Sequence, residues 1–489
     1  MSVQATKCDE TSPIQVPIRD VQVLPDVPNS FMKGIAASVG TPPQNIVLLP
    51  WPELNNTWIY NDGYCISRGL TNDDRCRVWR GNYFKEGISS TWVKKTDIVV
   101  AGGATIEAQA QEGTGIGDLI SASVSGIDEF VLNSIKGFGN FPVGLPTINW
   151  DNSDTMSHAM GMGMNSTIIN ALFEAGQISS RVWSLFWGRM WVNDDSAVDG
   201  SLVFGGYDQQ KIIGSKHVQA LDFSENTGCW TGMKVSILNI TRRRFGSATS
   251  LLDPSTEIMA CIVPQHPLLL KGPSSILDNL LFNIDVGPGY TSDGLHRYAS
   301  VFNESEPFGG DLTISLSTGL DIHVSNDQYV VPFVDIGENG ARIVDMKQRE
   351  VLISSLTYSD TAILGRYFLT AAYLMVDLDE NTFTLWQARP TSDSKLVGRD
   401  GSDCGYAPLP QAASKLSGRS IAGITVSAIV GLAIFGLCVF YLHRSRLLDN
   451  AKPLSSLENE LHGSPAVTSE VSGQTYLMYE MDGSTLRAE

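Results

Sequence analysis

The chain of 489 residues has little positive charge. Its 34 lysines and arginines stand against 52 aspartates and glutamates, which gives a formal net charge of −18. It also has no basic stretch with interleaved aromatic residues. A chain with this charge would repel a phosphate backbone, so nucleic acid is excluded as a partner.

Cysteine is also scarce, and none of the seven cysteines forms a C-x-x-C pair or precedes histidine at the spacing of zinc ligands. This pattern excludes a structural zinc site, and we predict no metal and no cofactor. Six cysteines lie before residue 421. All four glycosylation sequons lie there too, at Asn55, Asn165, Asn239 and Asn303. This one-sided distribution indicates that the first 420 residues mature in an oxidising, glycosylating compartment.

Long apolar runs are absent from the chain, with a single exception. It begins at Ile421 and ends at Leu442, which gives 22 residues without a charge. That length crosses a bilayer as a helix, so we predict one transmembrane helix at 421–442, a linker at 391–420 and a cytosolic tail at 443–489. Within the span, Gly423, Ser427 and Gly431 form a stripe of small residues. Such stripes are typical of helices that dimerise, and they also occur in helices that do not.

The first residues lack the apolar region of a signal peptide. The cysteines and sequons nevertheless place residues 1–420 outside, at the cell surface or in an endomembrane lumen. We therefore expect the signal peptide to be missing from this sequence because its recorded start lies downstream of the true one. The alternative is a cytosolic domain held by a membrane anchor.

The 46 glycines and 22 prolines favour a turn-rich chain of short strands. Residues 1–30 are polar and rich in proline, which predicts an irregular lead-in. From Phe31 onward the sequence consists of short β-like runs. Two helices are predicted, one at 165–176 from its capping residues and one at 274–282. Strands without alternating helices predict an all-β, antiparallel architecture.

Several phrases of the sequence resemble the pepsin-like aspartic peptidases, and they occur in that family's order. They are Val39-Gly-Thr-Pro-Pro-Gln44, Met160-Gly-Met-Gly163, Phe204-Gly-Gly-Tyr-Asp208 and Ile363-Leu-Gly-Arg-Tyr-Phe368. Other phrasing most resembles a fungal, membrane-anchored branch. The resemblance implies a bilobal fold with a central cleft, with an N-terminal lobe at 31–215 and a C-terminal lobe at 216–390.

The catalytic residues of that family are not preserved here. Its enzymes use two carboxylates that share a proton, each supplied by Asp-[Ser/Thr]-Gly. The place of the first aspartate holds Trp51. If Gly272-Pro273 sets the register, the position of the second aspartate holds Val263 or Pro264. Otherwise the second motif is a degraded one that begins at Asp253. We therefore expect a peptidase-family domain that is catalytically inactive and acts as a binding or surface protein.

Two alternatives remain open at this point. The first is an aspartic-type endopeptidase with non-standard acids, for which Asp253, Glu53 and Glu112 (in Glu112-Gly-Thr-Gly115, at the family's flap) are the candidates. The second is a membrane sensor that signals through its tail. In each case the cleft would hold something extended, either a polypeptide or a cell-wall polysaccharide.

The resemblance also bears on the disulfides. The family often has a small disulfide loop where Cys65 and Cys76 lie, so that pair is predicted. Cys229 and Cys261 form a plausible pair in the second lobe. Six cysteines before the span allow several connectivities, and with those two pairs Cys8 and Cys404 are left to each other. Cys438, in the span, is predicted to be unpaired.

Overall fold

The computed structural model describes the following residues: 12–62, 73–96, 123–146 without 134 and 136, 157–192, 196–224, 228–282 without 245 and 254, 289–303, 309–356 and 361–401. The chain divides into two compact units, residues 1–407 and 408–489. All described residues belong to the first unit. The predicted span, its stripe at Gly423, Ser427 and Gly431, and Cys8, Cys65, Cys404, Cys438 and Glu112 lie outside the described residues. Within the described part, no helix is long and apolar enough to cross a membrane.

Strands dominate the first half of the described chain, together with two α-helices and short 3-10 turns at Glu86–Ile88 and Gln209–Lys211. The helices are α1 (Asp73–Arg80) and α2 (Thr167–Glu174). The strands are β1 (Ile14–Gln22), β2 (Phe31–Val39), β3 (Gln44–Trp51), β4 (Thr57–Trp58), β5 (Val93–Lys95), β6 (Ser123–Leu132), β7 (Phe138–Pro146), β8 (His158–Gly161), β9 (Val182–Arg189), β10 (Val198–Phe204), β11 (Gly206–Asp208) and β12 (Ile212–Ala220).

The second half is built in the same way, with helix α3 (Ser274–Phe282) and 3-10 turns at Asn326–Gln328 and Phe368–Thr370. Its strands are β13 (Lys234–Arg244), β14 (Ser247–Ser250), β15 (Ile258–Ile262), β16 (Leu270–Gly272), β17 (Tyr290–Thr291), β18 (Ser300–Phe302), β19 (Asp311–Leu316), β20 (Asp321–Val324), β21 (Val330–Ile336), β22 (Arg342–Val351), β23 (Ile353–Ser355), β24 (Ala362–Leu364), β25 (Ala372–Asp377), β26 (Thr382–Ala388) and β27 (Leu396–Gly398).

The two halves repeat one arrangement of strands. In the first, β3 pairs in parallel with β8, and the sheet continues through β4 to β7. In the second, β15 pairs in parallel with β24, and the sheet continues through β16 to β23. Each half therefore has a unit of four short strands. The first strand of the unit leads to the turn at which the resembling family has a catalytic aspartate, here called the critical turn. This strand lies beside a parallel strand from later in the chain.

A shared sheet joins the halves. Its order is β12-β26-β25-β9-β10-β1, and it continues through β2 and β3 into the first half. Trp183, Leu185 and Phe204 in this sheet are fully buried. Burying side chains of this size stabilises a fold by about 1.5–3 kcal/mol each, so the shared sheet is a major part of the core.

The mostly-β prediction and both predicted helices are confirmed, but the antiparallel prediction is wrong for the pairs β3–β8, β4–β7, β15–β24 and β16–β23, which are parallel. Helix α2 begins after Ser166, whose hydroxyl accepts a hydrogen bond from the Ile169 amide, and Gly176 just beyond it has a φ of 63°. Helix α3 occupies 274–282 as expected. Capping residues identified helix α2 because they satisfy backbone groups that the helix itself leaves unpaired.

The prediction of an irregular lead-in at 1–30 is wrong for residues 14–22. They form β1, which pairs with β10 on one side and β2 on the other. Val16 and Ile18 are fully buried on the same face, with Pro17 between them. The proline concealed a strand pattern because it normally marks loops and sheet edges.

The linker predicted at 391–420 also contains structure. Its residues Leu396–Gly398 form β27, which pairs with β11 and is buried. Three residues are too few to show the alternation of a strand in the sequence. The ordered domain therefore continues past residue 390.

Candidate functional site

The first of the two critical turns follows β3. The Leu54 amide donates a hydrogen bond to the Trp51 carbonyl at 3.1 Å, which closes the turn. The Trp51 side chain is 4% exposed and packs in an apolar cluster with Leu54, Trp58 and Tyr60. The first position of this turn therefore presents an indole where the resembling family presents a carboxylate.

The second turn follows β15 and has the same geometry. The His266 amide donates to the Val263 carbonyl at 3.0 Å. Val263 is 7% exposed and packs beside the Cys229–Cys261 disulfide. The strand registers match as well, because Trp51 pairs with Gly161 while Val263 directly follows Ile262, the partner of Leu364.

The strand registers show which residue of the second half occupies the position of the second aspartate. Val263 corresponds to Trp51, and Pro264, which is buried, comes one residue later. Asp253 is exposed and lies before the start of β15, at the opposite end of that strand from the turn. The structure therefore does not bring Asp253 to the turns.

At each turn, a glycine allows two backbone segments to pack closely. A Cβ on Gly161 would lie 2.4 Å from the Asn56 carbonyl oxygen, and one on Gly365 would lie 2.2 Å from that of Leu268. Both distances fall below van der Waals contact with backbone that cannot move aside. The glycines of the Met160-Gly and Leu364-Gly phrases are therefore required by packing in both halves.

The third residues of the two turns, Glu53 and Gln265, meet each other. The Gln265 side-chain amide donates from Nε2 to Oε2 of Glu53 at 3.0 Å. The indole Nε1 of Trp51 donates to the same oxygen at 3.3 Å. Equivalent positions of the two halves thus form one carboxylate–carboxamide pair, hereafter the Glu53–Gln265 pair.

A buried arginine fixes the second turn. Arg366 donates from Nη2 to the Gln265 carbonyl at 2.5 Å and from Nε to the His266 carbonyl at 3.3 Å. Burial lowers the pKa of its guanidinium to about 10, which still leaves it charged at neutral pH. Gln265 itself is 4% exposed, and its Oε1 has no hydrogen-bond partner among the described residues.

Histidines beside the turns carry no charge. Burial, with contributions from Lys271 and Arg366, lowers the pKa of His266 to about 3. The pKa of His158 also falls to about 3, through burial first and then the nearby Arg80. The Nδ1 atom of His158 accepts the Tyr60 amide at 3.1 Å, and its Nε2 donates to the Asn82 carbonyl at 2.9 Å. These are structural hydrogen bonds.

The chemistry available at the turns differs from that of a pair of aspartates. Two close carboxylates raise one pKa and lower the other, which provides an acid and a base at a single pH. A carboxamide does not titrate in this range, so the Glu53–Gln265 pair contains one titratable group. It offers one carboxylate, already bound by two N–H donors.

The four predicted glycosylation sites differ in their solvent exposure. Asn303 is exposed, and Asn165 and Asn239 are half-buried. Asn55 is 9% exposed, and its Oδ1 accepts the Asn165 amide at 2.9 Å. Its side chain is therefore committed to packing in the folded chain, which argues against a glycan there.

Two of the predicted disulfide pairs include cysteines among the described residues. Cys229 and Cys261 are bonded. Cys76 is also disulfide-bonded, and its predicted partner Cys65 lies outside the described residues.

Gln265 is the residue of the site that sequence reasoning missed. It lies two positions after Val263, as Glu53 lies two positions after Trp51. An alignment of the two halves that matched Val263 with Trp51 would also have matched Gln265 with Glu53. Because the two residues are 212 positions apart, no local pattern indicated the contact.

The chain is similar to known aspartic proteases in sequence. The sequence model described as "Eukaryotic aspartyl protease" matches residues 37–388. The chain is 23% identical to a "Probable aspartic-type endopeptidase OPSB" of Trichophyton verrucosum, over 79% of this chain and 74% of that protein. It is 27% identical to Rhizopuspepsin-5 of Rhizopus niveus, over 41% and 45% respectively. The aspartic proteinase from Irpex lacteus matches structurally with a TM-score of 0.48 and 15% identity, over 78% of this chain and 99% of that one.

Proposed function

The chain belongs to the eukaryotic aspartyl protease family, and we propose that it is a member that binds its ligand without aspartic-peptidase chemistry. One observation carries this proposal. The two turn positions that should hold the catalytic aspartates hold Trp51 and Val263, both buried among apolar side chains.

The loss of rate expected from this replacement is large. General acid–base catalysis by a positioned group contributes roughly 10²–10⁴-fold, and the family's mechanism uses one such group on each lobe. An indole and an isopropyl group cannot accept or donate the proton. The remaining Glu53 carboxylate accepts N–H donors from both Trp51 and Gln265 on a single oxygen, which supports a positioning role.

The ligand class we propose is an extended polypeptide. The relative from Trichophyton verrucosum is named as a probable aspartic-type endopeptidase. A cell-wall polysaccharide would be the other extended ligand, but the name of this relative does not support it.

We further propose that the domain lies outside a membrane and is held there by the span at 421–442. The charge-free run and the distribution of cysteines and sequons support this orientation. Protease added to sealed microsomes from cells that express the chain with a C-terminal tag should remove the tag and leave the domain protected. A digested domain with a protected tag would contradict the orientation.

A second candidate function is an endopeptidase that uses Glu53. The Glu53–Gln265 contact favours it, since a carboxylate can activate water and an amide N–H can stabilise an oxyanion. This candidate requires the carboxylate to exchange an N–H donor for a water molecule.

One experiment separates the two candidates. The full chain, purified from a eukaryotic host, is incubated with a mixed peptide library from about pH 3 to pH 7. Glu53→Gln is tested beside Asp253→Asn, a matched removal of an exposed carboxylate. We expect no cleavage by any of the three proteins. Cleavage that Glu53→Gln abolishes and Asp253→Asn retains would establish the second candidate, and cleavage lost in Asp253→Asn would contradict both.

A further inference from the structure

Lys33 is an unusual residue in the middle of a central strand. It lies in β2, between Met32 and Gly34, and it is 8% exposed. Its ammonium group makes no hydrogen bond or ion pair with any described residue. Because a buried charge is costly unless it is paired, Lys33 requires an explanation that packing alone does not provide.

The Lys33 side chain lines a cavity that has a cationic and aromatic wall. Trp187, Trp191 and Met190 provide its apolar surface, and Arg297, Arg342 and Arg366 add positive charge. Among the described residues that line it, none is acidic. A chain with a net charge of −18 has therefore gathered four cations around one small space.

Two of these cations are already paired. Arg342 binds both carboxylate oxygens of Asp20, at 2.7 and 2.5 Å. Arg366 is bound to the backbone carbonyls of Gln265 and His266. Lys33 is thus the buried cation of the wall that makes no direct ion pair, although Asp20 and Asp199 line the outer cavity and act on it from a greater distance.

The space around Lys33 is divided into an inner and an outer part. The inner cavity is about 40 Å³, enough for a small charged group. It adjoins an outer cavity of about 660 Å³, and the two share Lys33, Met190, Trp191 and Arg342 as lining residues. The outer part is large enough for the rest of a small organic molecule.

We propose that this cavity binds a small organic carboxylate, whose anionic group pairs with Lys33 and whose apolar part lies against Trp187 and Trp191. The positions of the rings fit this arrangement. Lys33 Nζ lies 5.9 Å from the centre of the Trp187 ring, and the Arg342 guanidinium lies 5.5 Å from that of Trp191. The cations therefore border the same rings that would cover the ligand.

The ionisation of Lys33 supports an anionic ligand. Burial lowers its pKa to about 8, Asp20 and Asp199 act to raise it, and Arg342 acts to lower it further. The other titratable and charged groups at the inner cavity are His296, Arg297, Arg366 and Tyr367. A bound carboxylate would favour the protonated amine, so its affinity should be highest below pH 8 and fall about tenfold per pH unit well above it.

The test uses phenylacetate, with phenylacetamide as its uncharged isostere and acetate as its truncated form. Binding to the full chain is measured by calorimetry at pH 7 and again at pH 9. We expect phenylacetate to bind at least tenfold more tightly than either control, and to weaken by about tenfold at pH 9. Equal binding of phenylacetate and phenylacetamide, or binding that does not change with pH, would overturn the proposal.

Variants separate a ligand role from a structural one. Lys33→Met retains the apolar stem and removes the charge, and Lys94→Met makes the same change at an exposed position of β5. We expect Lys33→Met to lose phenylacetate binding by at least tenfold while its melting temperature does not fall, since an unpaired buried charge has been removed. Lys94→Met should bind as the wild type does. Retained binding in Lys33→Met, or equal loss in both variants, would refute the assignment.

Discussion

Removing one hydroxyl from the core, by Tyr367→Phe, tests how much a buried hydrogen-bond chain stabilises this fold. Tyr367 is 2% exposed. Its oxygen accepts the Trp191 indole N–H at 2.8 Å and lies 2.6 Å from Nε2 of His296. Nδ1 of His296 lies 2.5 Å from Oε2 of Glu350, which is fully buried. The hydroxyl therefore links an indole to a buried histidine–carboxylate pair.

The expected cost follows from the groups that lose their partner. The Tyr367 hydroxyl is the hydrogen-bond partner of Nε2 of His296 and of the Trp191 indole N–H. The variant leaves this buried ring nitrogen and the half-buried Trp191 N–H without that partner. Leaving a buried polar group unsatisfied costs about 1–3 kcal/mol, and the half-buried N–H costs less than a fully buried one, so we expect the free energy of unfolding to fall by about 2–4 kcal/mol in total.

Urea denaturation of the full chain measures this difference, with Tyr290→Phe as the matched control. Tyr290 is 48% exposed, and its hydroxyl donates to Gln348 at 3.3 Å. We expect Tyr290→Phe to change stability by less than about 0.5 kcal/mol. If Tyr367→Phe were as stable as the control, the reasoning that the hydrogen-bond chain supports the core would be refuted.

Two further predictions concern acid stability and glycosylation. His158 and His266 have pKa values lowered to about 3 by burial, so unfolding takes up protons below the unfolded value of about 6.5. The stability present above pH 6.5 should be lost progressively as the pH falls towards 3, and His158→Gln should reduce that slope by about one proton in denaturation measured across this range. An unchanged slope would mean that His158 is not buried in its neutral form. Mass analysis of glycopeptides from a eukaryotic host should find Asn303 occupied and Asn55 unmodified, because Asn303 is exposed and Asn55 is buried; the reverse pattern would contradict the burial of Asn55.

The sequence predicted the family and the mostly-β fold because it contains short phrases whose residues the backbone geometry requires. Gly161 and Gly365 are examples, since a Cβ at either position would strike backbone. The helix that begins after Ser166 was also predictable, because its cap is a local interaction. In contrast, β1 was missed because its burial depends on β10, which lies far along the chain.

The site was harder to predict because its contacts are not local. The replacement of an aspartate by Trp51 is evident from spacing, but the meeting of Glu53 and Gln265 depends on the register of two separate sheets. Lys33 appears in the sequence as an ordinary polar residue of a strand. Its burial is set by Trp187, Trp191 and Arg342, which come from two other parts of the chain.

The position of β1 within the shared sheet constrains how the chain is made. Ile14 pairs with Phe204, and β9 beside β10 pairs with β25 near residue 375. At a synthesis rate of about 5–20 residues per second, β1 leaves the ribosome roughly 10–40 s before its partner strand β10 exists. Residues 14–18, the part of β1 that pairs with β10, must stay unpaired during that interval, although the later part of β1 can pair with β2. The sheet is completed only when β25 and β26 have been translated. Biosynthesis of this protein should therefore depend on chaperones that hold nascent β1, more than its final stability would suggest.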